Sequence, residues 1–167
     1  MTTANSVATD PLENAPSPNF SGPNQSGNLL SLQALQGHHI ILFFYPKDLT
    51  SGCTTEACNF RDHWQALKAL GAVILGVSAD SQKSHVKFIA KHSLPFDLIA
   101  DESKQIIQAF GAWGEKRFMG RKYMGILRKT VWIGPDGQVR KVWNKVKPDE
   151  HAQEVLAAIQ KEPLRKP

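Results

Sequence analysis

The sequence predicts an α/β protein built on a central mixed β-sheet flanked by helices. Two continuous apolar runs, residues 39–45 and 72–79, are typical of strands that are covered on both faces. Each run is followed by a segment with helical periodicity. Residues 134–137 (Gly-Pro-Asp-Gly) separate two strand-like segments, which is typical of a β-hairpin. Successive βα units followed by a hairpin therefore indicate a mixed sheet.

Length and composition indicate a single soluble domain. The chain has 167 residues, of which 41% are apolar and 21% are charged. No apolar run approaches the roughly eighteen residues of a membrane span. Residues 1–14 show no periodicity, so we expect a disordered tail followed by one domain at residues 15–162. Because the N-terminus lacks the cationic and apolar regions of a signal peptide, we expect a cytoplasmic protein.

The first half of the predicted domain contains a turn at residues 24–28, a strand at 39–45 and a helix at 51–70. The strand ends at Pro46, and Gly71 is placed as a C-cap of the helix. Apolar side chains recur along one side of this helix at intervals of three and four residues, at Cys53, Ala57, Phe60, Trp64 and Leu67.

The second half predicts alternating strands and helices with one long loop. The predicted strands are residues 72–79, 96–100, 129–133 and 138–143. The predicted helices are residues 82–92 (capped by Asp80 or Ser81), 103–110 and 148–161. Residues 111–125 carry many Lys and Arg and show no clear period, so we expect a long basic loop there.

Cys53 is the first candidate for a reactive residue. It lies in the first turn of the predicted helix, directly after a strand, and this junction falls at the edge of the sheet where α/β proteins bind ligands. The free N–H groups and the positive end of the helix dipole favour an anion there. We therefore expect the Cys53 thiol to ionise more readily than a free thiol. The alternative is a buried, inert cysteine on the apolar side of the helix.

Cys58, the second of two cysteines in the chain, lies five residues further along the same helix. On an ideal helix the two Cα atoms are roughly 8–9 Å apart and roughly 140° around the axis. A disulfide requires less than about 7 Å, so the two sulfurs can bond only if the first turns unwind. A metal site is a weaker interpretation, because the spacing differs from that of zinc-binding cysteine pairs and no histidines cluster nearby. We expect no metal and no cofactor.

Two further side chains are candidates for the same site. Thr50, three residues before Cys53, can present its hydroxyl there or serve as an N-cap or turn former. Arg128 opens a predicted strand, and its guanidinium can reach the thiolate if that strand lies beside residues 39–45. The basic residues of 111–125, interleaved with aromatic side chains, suggest a nucleic-acid patch, but no nucleic-acid motif accompanies them. A solvated loop is therefore the preferred interpretation of these residues. The net charge of +5 is modest, and we expect neither a nucleic-acid nor a membrane partner.

Residues 45–62 resemble the bacterioferritin comigratory protein (peroxiredoxin Q) group of peroxiredoxins. The matching motifs are Tyr-Pro-Lys-Asp at 45–48, Thr50, Gly-Cys-Thr-Thr-Glu-Ala-Cys at 52–58 and Phe-Arg-Asp at 60–62. The later segments Trp-Gly-Glu-Lys at 113–116 and Tyr-Met-Gly-Ile at 123–126, with Arg128 before Thr130, resemble the same group. The chain departs from the group at Leu49, where Asn is frequent, and at Ser51, where Pro is usual.

This resemblance implies a thioredoxin-like fold and a thiol-dependent peroxidase. It implies Cys53 as the peroxidatic cysteine, Cys58 as the resolving cysteine, and Pro46, Thr50 and Arg128 as the supporting residues. Hydrogen peroxide and organic hydroperoxides are the implied substrates, and thioredoxin or a similar dithiol is the implied reductant. We expect a monomer whose helix unwinds from about Gly52 to Phe60 when the intramolecular disulfide forms.

Two alternatives remain at this point. A disulfide oxidoreductase of thioredoxin type needs a Cys-x-x-Cys pair, which the chain lacks. A redox-sensing or chaperone-like binding protein would use the same cysteine switch without significant turnover.

Overall fold

Nine strands and five helices make up the structure, a computed structural model that describes residues 9–162. The strands are β1 (Ser21–Pro23), β2 (Leu29–Ser31), β3 (His39–Phe44), β4 (Ala72–Ser78), β5 (Asp97–Ala100), β6 (Trp113–Phe118), β7 (Arg121–Ile126), β8 (Lys129–Ile133) and β9 (Val139–Trp143). The helices are α1 (Ser51–Asp62), α2 (Trp64–Ala69), α3 (Gln82–His92), α4 (Gln105–Ala109) and α5 (His151–Gln160).

The central sheet has five strands in the order β5-β4-β3-β8-β9. Strand β4 pairs in parallel with both β3 and β5, whereas β8 pairs antiparallel with both β3 and β9. This arrangement confirms the predicted mixed sheet. It also confirms that the strand opened by Arg128 lies directly beside β3, since Phe44 is opposite Lys129.

Strand β3 is buried on both faces, as its continuous apolar run predicts. Its alternate side chains Ile41 and Phe43 belong to an apolar core that includes residues of α1, α2, α3 and α5. Ile40, Leu42 and Phe44 belong to a second core, on the other face, with residues of α4. The site at the end of β3 therefore rests on a strand with little freedom to move.

The predicted helix at 51–70 is two helices, because the backbone leaves the helical conformation at His63 (φ −107°, ψ 5°). Helix α3 starts after Ser81, whose side chain accepts a hydrogen bond from the Ser84 N–H at 3.1 Å. Of the two predicted caps, Ser81 is thus the one observed. Gly71 has a φ of 80°, as its predicted C-cap position requires.

The predicted loop at residues 111–125 is wrong. Strands β6 and β7 pair with each other in a separate two-stranded antiparallel sheet. Met119 and Gly120 form the turn, and both have positive φ, as expected of a tight two-residue hairpin. The pattern was hidden because most side chains on both faces of the hairpin are at least partly exposed, so no apolar alternation marks the strands.

The expected disordered tail, residues 1–14, was predicted to be too long. Residues 1–8 lie outside the described part of the chain, but Asp10, Glu13 and Asn14 contact the domain. The Asp10 carboxylate pairs with Lys129 Nζ at 2.9 Å, and the Asn14 N–H donates to the Val139 carbonyl at 2.9 Å. Glu13 accepts a hydrogen bond from the Val142 N–H at 2.9 Å. These residues therefore belong to the folded domain.

Among residues 9–162, no helix combines the length and the apolarity needed to cross a lipid bilayer.

A buried polar network anchors the loop between β3 and α1. The Asp48 carboxylate accepts hydrogen bonds from the Tyr45 hydroxyl (2.6 Å) and the Ser84 hydroxyl (2.8 Å), and lies 2.7 Å from His85 Nδ1. His85 Nε2 lies 3.0 Å from the Ile99 carbonyl, which only accepts, so this nitrogen carries a proton. The side chains of Asp48 and His85 are almost completely buried.

The network holds the loop through both the carboxylate and the backbone N–H of Asp48. The Asp48 N–H donates to Asp80 Oδ2 at 2.9 Å, and the Ser78 hydroxyl donates to the same oxygen at 2.6 Å. Burial and the nearby negative charge of Asp48 raise the pKa of Tyr45 well above its usual value, so Tyr45 remains a donor. The loop is thereby fixed to β4 and α3.

We predict that Asp48→Asn lowers the free energy of unfolding by about 3 kcal/mol, because an amide NH₂ group replaces one of the two carboxylate oxygens that accept the hydrogen bonds of this buried network. Denaturant unfolding at pH 7 under reducing conditions measures this change. The control is Asp149→Asn, at an exposed position, which should change the free energy of unfolding by less than about 0.5 kcal/mol. Equal effects of the two substitutions would show that the network does not stabilise the fold.

Candidate active site

Cys53 lies at the start of α1, where the chain leaves the sheet. The Thr54 N–H is bonded to the Thr50 carbonyl at 2.8 Å, so the N–H groups of residues 51–53 precede the helical hydrogen-bond ladder. The Cys53 side chain is 2% exposed and belongs to the same core as Phe43. The predicted position of Cys53 in the first helical turn is confirmed. The thiol therefore combines burial with the positive end of a helix.

Arg128 contacts both the Cys53 sulfur and the carboxylate of Glu56. Its Nη2 lies 3.5 Å from Cys53 Sγ, and its Nη1 donates to Glu56 Oε1 at 2.8 Å. Gly52 leaves room for the guanidinium, since a Cβ atom at this position would lie 3.1 Å from Arg128 Nη2. The expectation that Arg128 reaches the sulfur is confirmed.

Glu56 is a residue of this site that the sequence patterns did not reveal. It is fully buried, and its Oε2 has no hydrogen-bond partner among the described residues. Burial raises the pKa of Glu56 to about 7, although the charge of Arg128 opposes the shift. A signal was present in the sequence, because Glu56 is three residues from Cys53 and on the same side of the helix.

The guanidinium of Arg128 is held positive by its surroundings. Burial acts to lower the pKa of Arg128, but the negative charges of Cys53 and Glu56 outweigh burial and raise it. A fixed cation in hydrogen-bond contact with a sulfur favours the thiolate. The same cation can stabilise negative charge that develops on an atom bound beside the sulfur.

Thr50 is at the predicted N-cap position of α1, but its side chain makes no capping hydrogen bond. Its hydroxyl instead donates to the Lys47 carbonyl at 2.8 Å and so closes the turn before the helix. Thr50 is exposed, and Pro46 is partly buried directly after Tyr45. The turn-forming role of Thr50 is therefore observed.

Leu49, one of the two departures from the resembled group, has a strained backbone conformation. Its φ is 65°, a left-handed conformation that costs a side chain such as Leu about 1–2 kcal/mol. Asn, which is frequent at this position in that group, adopts the conformation more readily. Leu49 is also exposed, so burial does not offset the strain.

Cys58 lies on a different side of α1 from Cys53, at the edge of a shallow cavity of about 380 Å³. Thr54, Asn59 and Asp62 of the same helix and His92 of α3 also line this cavity. Both cysteines are free, and both lie within the intact helix α1. A larger cavity, of about 600 Å³, lies near His39 at the other end of β3 and does not include the cysteines.

Metal binding is not needed to explain the polar groups near the site. Asp48, Asp80 and His85 each offer one ligand atom within 4.8 Å of the others. The hydrogen bonds of the loop network already engage these atoms. The Nδ1 atom of His63 lies 2.9 Å from the Asn59 carbonyl, so this side chain also has a polar partner.

Comparisons with known proteins identify the family. The AhpC/TSA family model matches residues 14–142. Peroxiredoxin Bcp of Bacillus subtilis is 47% identical over 133 residues, which cover 80% of this chain and 85% of the relative. Peroxiredoxin Bcp of Escherichia coli is 41% identical over 139 residues, which cover 83% and 89% of the two chains.

Solved structures agree with this result. A structure of Xanthomonas campestris peroxiredoxin Q superposes with a TM-score of 0.80 at 41% identity, covering 84% of this chain and 89% of the other. A mutant of Xylella fastidiosa PrxQ superposes with a TM-score of 0.84 at 30% identity, covering 92% and 97%. The expected thioredoxin-like fold is therefore confirmed. The chain belongs to the AhpC/TSA family, as a peroxiredoxin of the Bcp/peroxiredoxin Q group and hence a thiol peroxidase.

Proposed function

We propose that this peroxiredoxin reduces hydrogen peroxide and organic hydroperoxides through Cys53. The observation that carries the proposal is the buried Cys53 sulfur at a helix N-terminus, 3.5 Å from a guanidinium. A bacterioferritin comigratory protein of Xanthomonas campestris, 40% identical to this chain, has been solved in connection with its alkyl peroxide reduction activity, which supports the inclusion of organic hydroperoxides. The protein acts as a cytoplasmic monomer in this proposal.

In the first step the Cys53 thiolate attacks one peroxide oxygen and the O–O bond breaks. Cys53 becomes a sulfenic acid, and the other oxygen leaves as an alkoxide or hydroxide that takes up a proton. The leaving oxygen gains negative charge as the bond breaks. Arg128 and the N–H groups of residues 51–53 stabilise that charge because they are fixed before the reaction begins.

Thr50 and Pro46 shape the entrance to the sulfur. The Thr50 hydroxyl orients the peroxide by accepting a hydrogen bond from its O–H group, because its own proton is donated to the Lys47 carbonyl. Pro46 shields the sulfur from bulk water, since it directly follows the buried end of β3. Asp48 holds the turn between these two residues through its buried network.

In the second step the Cys58 thiol attacks the Cys53 sulfenic acid, a disulfide forms and water leaves. Thioredoxin or a similar dithiol then reduces the disulfide by exchange, which regenerates both thiols. Catalytic loss of peroxide coupled to thioredoxin oxidation would distinguish this enzyme from a redox sensor that reacts once.

The first prediction assigns the two cysteines. Cys53→Ser should abolish peroxide consumption, because Cys58 has neither the helix N-terminus nor the Arg128 guanidinium beside its sulfur. Cys58→Ser should react once and stall, so that a dimedone-type probe labels Cys53 stoichiometrically in mass spectra. Labelling of both variants to the same extent would refute the assignment.

A second prediction concerns the helix. Five residues of intact α1 separate the Cα atoms of Cys53 and Cys58 by a rise of roughly 7.5 Å, which is too far for a disulfide. Oxidation should therefore unwind α1 from about Gly52 to Phe60. Phe60 stacks on Phe43 at 4.8 Å between ring centroids, and the restoration of this contact favours refolding after reduction.

Hydrogen exchange of reduced and oxidised protein measures this unwinding. Amides of residues 52–60 should lose protection on oxidation, whereas those of α3 serve as an internal control and should not. Equal protection of α1 in both states, or a disulfide-linked dimer on a non-reducing gel, would contradict the proposed switch.

A third prediction follows from Glu56. The pKa of Glu56 is about 7 in the folded protein, above its value of 4.5 in the unfolded chain. Between these pH values the native state therefore keeps a proton on Glu56 that the unfolded chain releases. The stabilisation from Glu56 is therefore complete at low pH and is lost as pH rises through 7. Glu56→Gln removes this dependence, so the variant should gain stability relative to the wild type between pH 5 and 8.

Denaturant unfolding of the reduced proteins at several pH values tests the Glu56 prediction. Glu102→Gln is a matched control at an exposed position and should follow the wild-type pH dependence. If the free energy of unfolding depended on pH in the same way for the wild type and Glu56→Gln, Glu56 would have the same pKa in the native and unfolded states.

A further inference from the structure

The β6–β7 hairpin has a surface that the peroxidase chemistry does not explain. Four of the large apolar side chains that are exposed in residues 9–162 lie on it: Phe118, Met119, Tyr123 and Met124. Met119, at the turn, is 87% exposed, and Phe118 beside it is 67% exposed. Exposed apolar groups in one place mark a site for a protein or membrane partner.

Positive charge is concentrated next to these apolar side chains. The hairpin carries four cations, Lys116, Arg117, Arg121 and Lys122, and one carboxylate, Glu115. None of these charged side chains forms an ion pair with another residue in 9–162. The hairpin therefore accounts for much of the chain's net charge of +5 and offers it to an anionic partner.

The register places these groups in layers behind the turn. Phe118 is opposite Arg121, and the next pairs are Arg117 with Lys122, Lys116 with Tyr123, and Glu115 with Met124. With about 3.3 Å per residue, the cations lie within roughly 10 Å of the turn. The carboxylate lies furthest from the turn.

We propose that the turn Phe118–Gly120 inserts into anionic phospholipid surfaces while the cations of the hairpin bind the lipid phosphates. A turn buried to a depth of about 5–10 Å, as for other interfacial elements, would place Arg117, Arg121 and Lys122 at the phosphate level. Tyr123 would lie in the interfacial layer that tyrosine prefers in membranes. This peripheral contact requires no spanning segment, and it differs from the expectation from the sequence that the chain has no membrane partner.

The shape of the hairpin favours a lipid surface over a protein or a nucleic acid. A specific protein interface buries about 800 Å² on each partner, which four exposed apolar side chains on one hairpin do not supply. Nucleic acids bind cations and stacked aromatic rings, whereas the most exposed side chain here is the aliphatic Met119. A fluid bilayer accepts a convex apolar tip without a complementary pocket.

Docking would also bring the reactive cysteine to the lipid surface. Strand β7 ends at Ile126, two residues before Arg128, so the hairpin leads directly into the site. Burial lowers the pKa of Lys116, the nearby charge of Arg128 lowers it further, and the charge of Cys53 opposes both. The Lys116 Nζ donates to the Ile126 carbonyl at 2.8 Å, two residues before Arg128, which ties the hairpin to the site. This consequence rests on the proposed function, and it would favour hydroperoxides carried by membrane lipids.

Vesicle co-sedimentation with the reduced full-length chain tests the proposal. The vesicles are phosphatidylcholine alone or with about 30% phosphatidylglycerol, an anionic lipid. Wild type should bind the anionic vesicles, and binding should weaken with salt. Arg117→Gln/Arg121→Gln/Lys122→Gln should weaken binding at least tenfold, since each cation contributes roughly fivefold. Phe118→Ser/Met119→Ser should also weaken binding, without any change in charge.

Helix α3 supplies matched controls. Lys83→Gln/Lys87→Gln/Lys91→Gln removes the same charge from exposed positions, and Val86→Ser removes an exposed apolar side chain. These variants should bind like the wild type. Equal loss in the α3 and hairpin variants, or no vesicle binding by the wild type, would overturn the proposal. Hairpin-dependent dimerisation or capture of an acidic protein without vesicle binding would overturn it too.

The rate with hydrogen peroxide separates this proposal from the proposed function. Hairpin variants should keep the wild-type rate in solution, because the substituted residues lie outside the site around Cys53. A wild-type protein that binds vesicles but fails to reduce hydrogen peroxide would overturn the peroxidase proposal alone.

Discussion

The contact of the Arg128 guanidinium with both Cys53 and Glu56 is the interaction on which the site depends. One planar cation donates to a buried carboxylate and touches a buried sulfur 3.5 Å away. Two buried anions without a cation between them would be costly, since each would lose its hydration. Arg128 therefore supplies the positive charge that a thiolate at this buried position requires. The pKa of Glu56 is about 7, so the protonation of Glu56 near neutral pH changes how much negative charge Arg128 must balance.

The fold brings these groups together from distant parts of the chain. Strand β8 pairs antiparallel with β3, which places Arg128 beside the end of β3, where the chain turns into α1. The Asp48 network ties that turn to α3 through His85 and to the end of β4 through Asp80. The strained backbone at Leu49 lies within the same turn. A rigid strand and an anchored loop thus hold the sulfur in place, whereas the proposed catalytic cycle requires α1 itself to unwind.

The sequence predicted those features that local patterns encode. The apolar runs located β3 and β4, and the position of Cys53 at a strand-to-helix junction located the site. The β6–β7 hairpin was missed because its exposed faces lack apolar alternation, and the break at His63 interrupts an apolar pattern that continues through it. The burial of Glu56 and the pairing of Asp48 with His85 depend on contacts between residues that are 72 and 37 positions apart, which no local pattern records.

The second-order rate of the reduced protein with hydrogen peroxide tests the role of Arg128 most directly. Stopped-flow measurement at pH 7 would compare the wild type with Arg128→Ala, Arg128→Lys and, as an exposed control, Arg117→Ala. Our account predicts a loss of roughly 100-fold or more in Arg128→Ala, as for removal of a fixed donor at an active site. It predicts little rescue by Arg128→Lys, because an ammonium group lacks the planar fork that contacts two acceptors, and an unchanged rate in the control. A rate for Arg128→Ala within threefold of the wild type would contradict it.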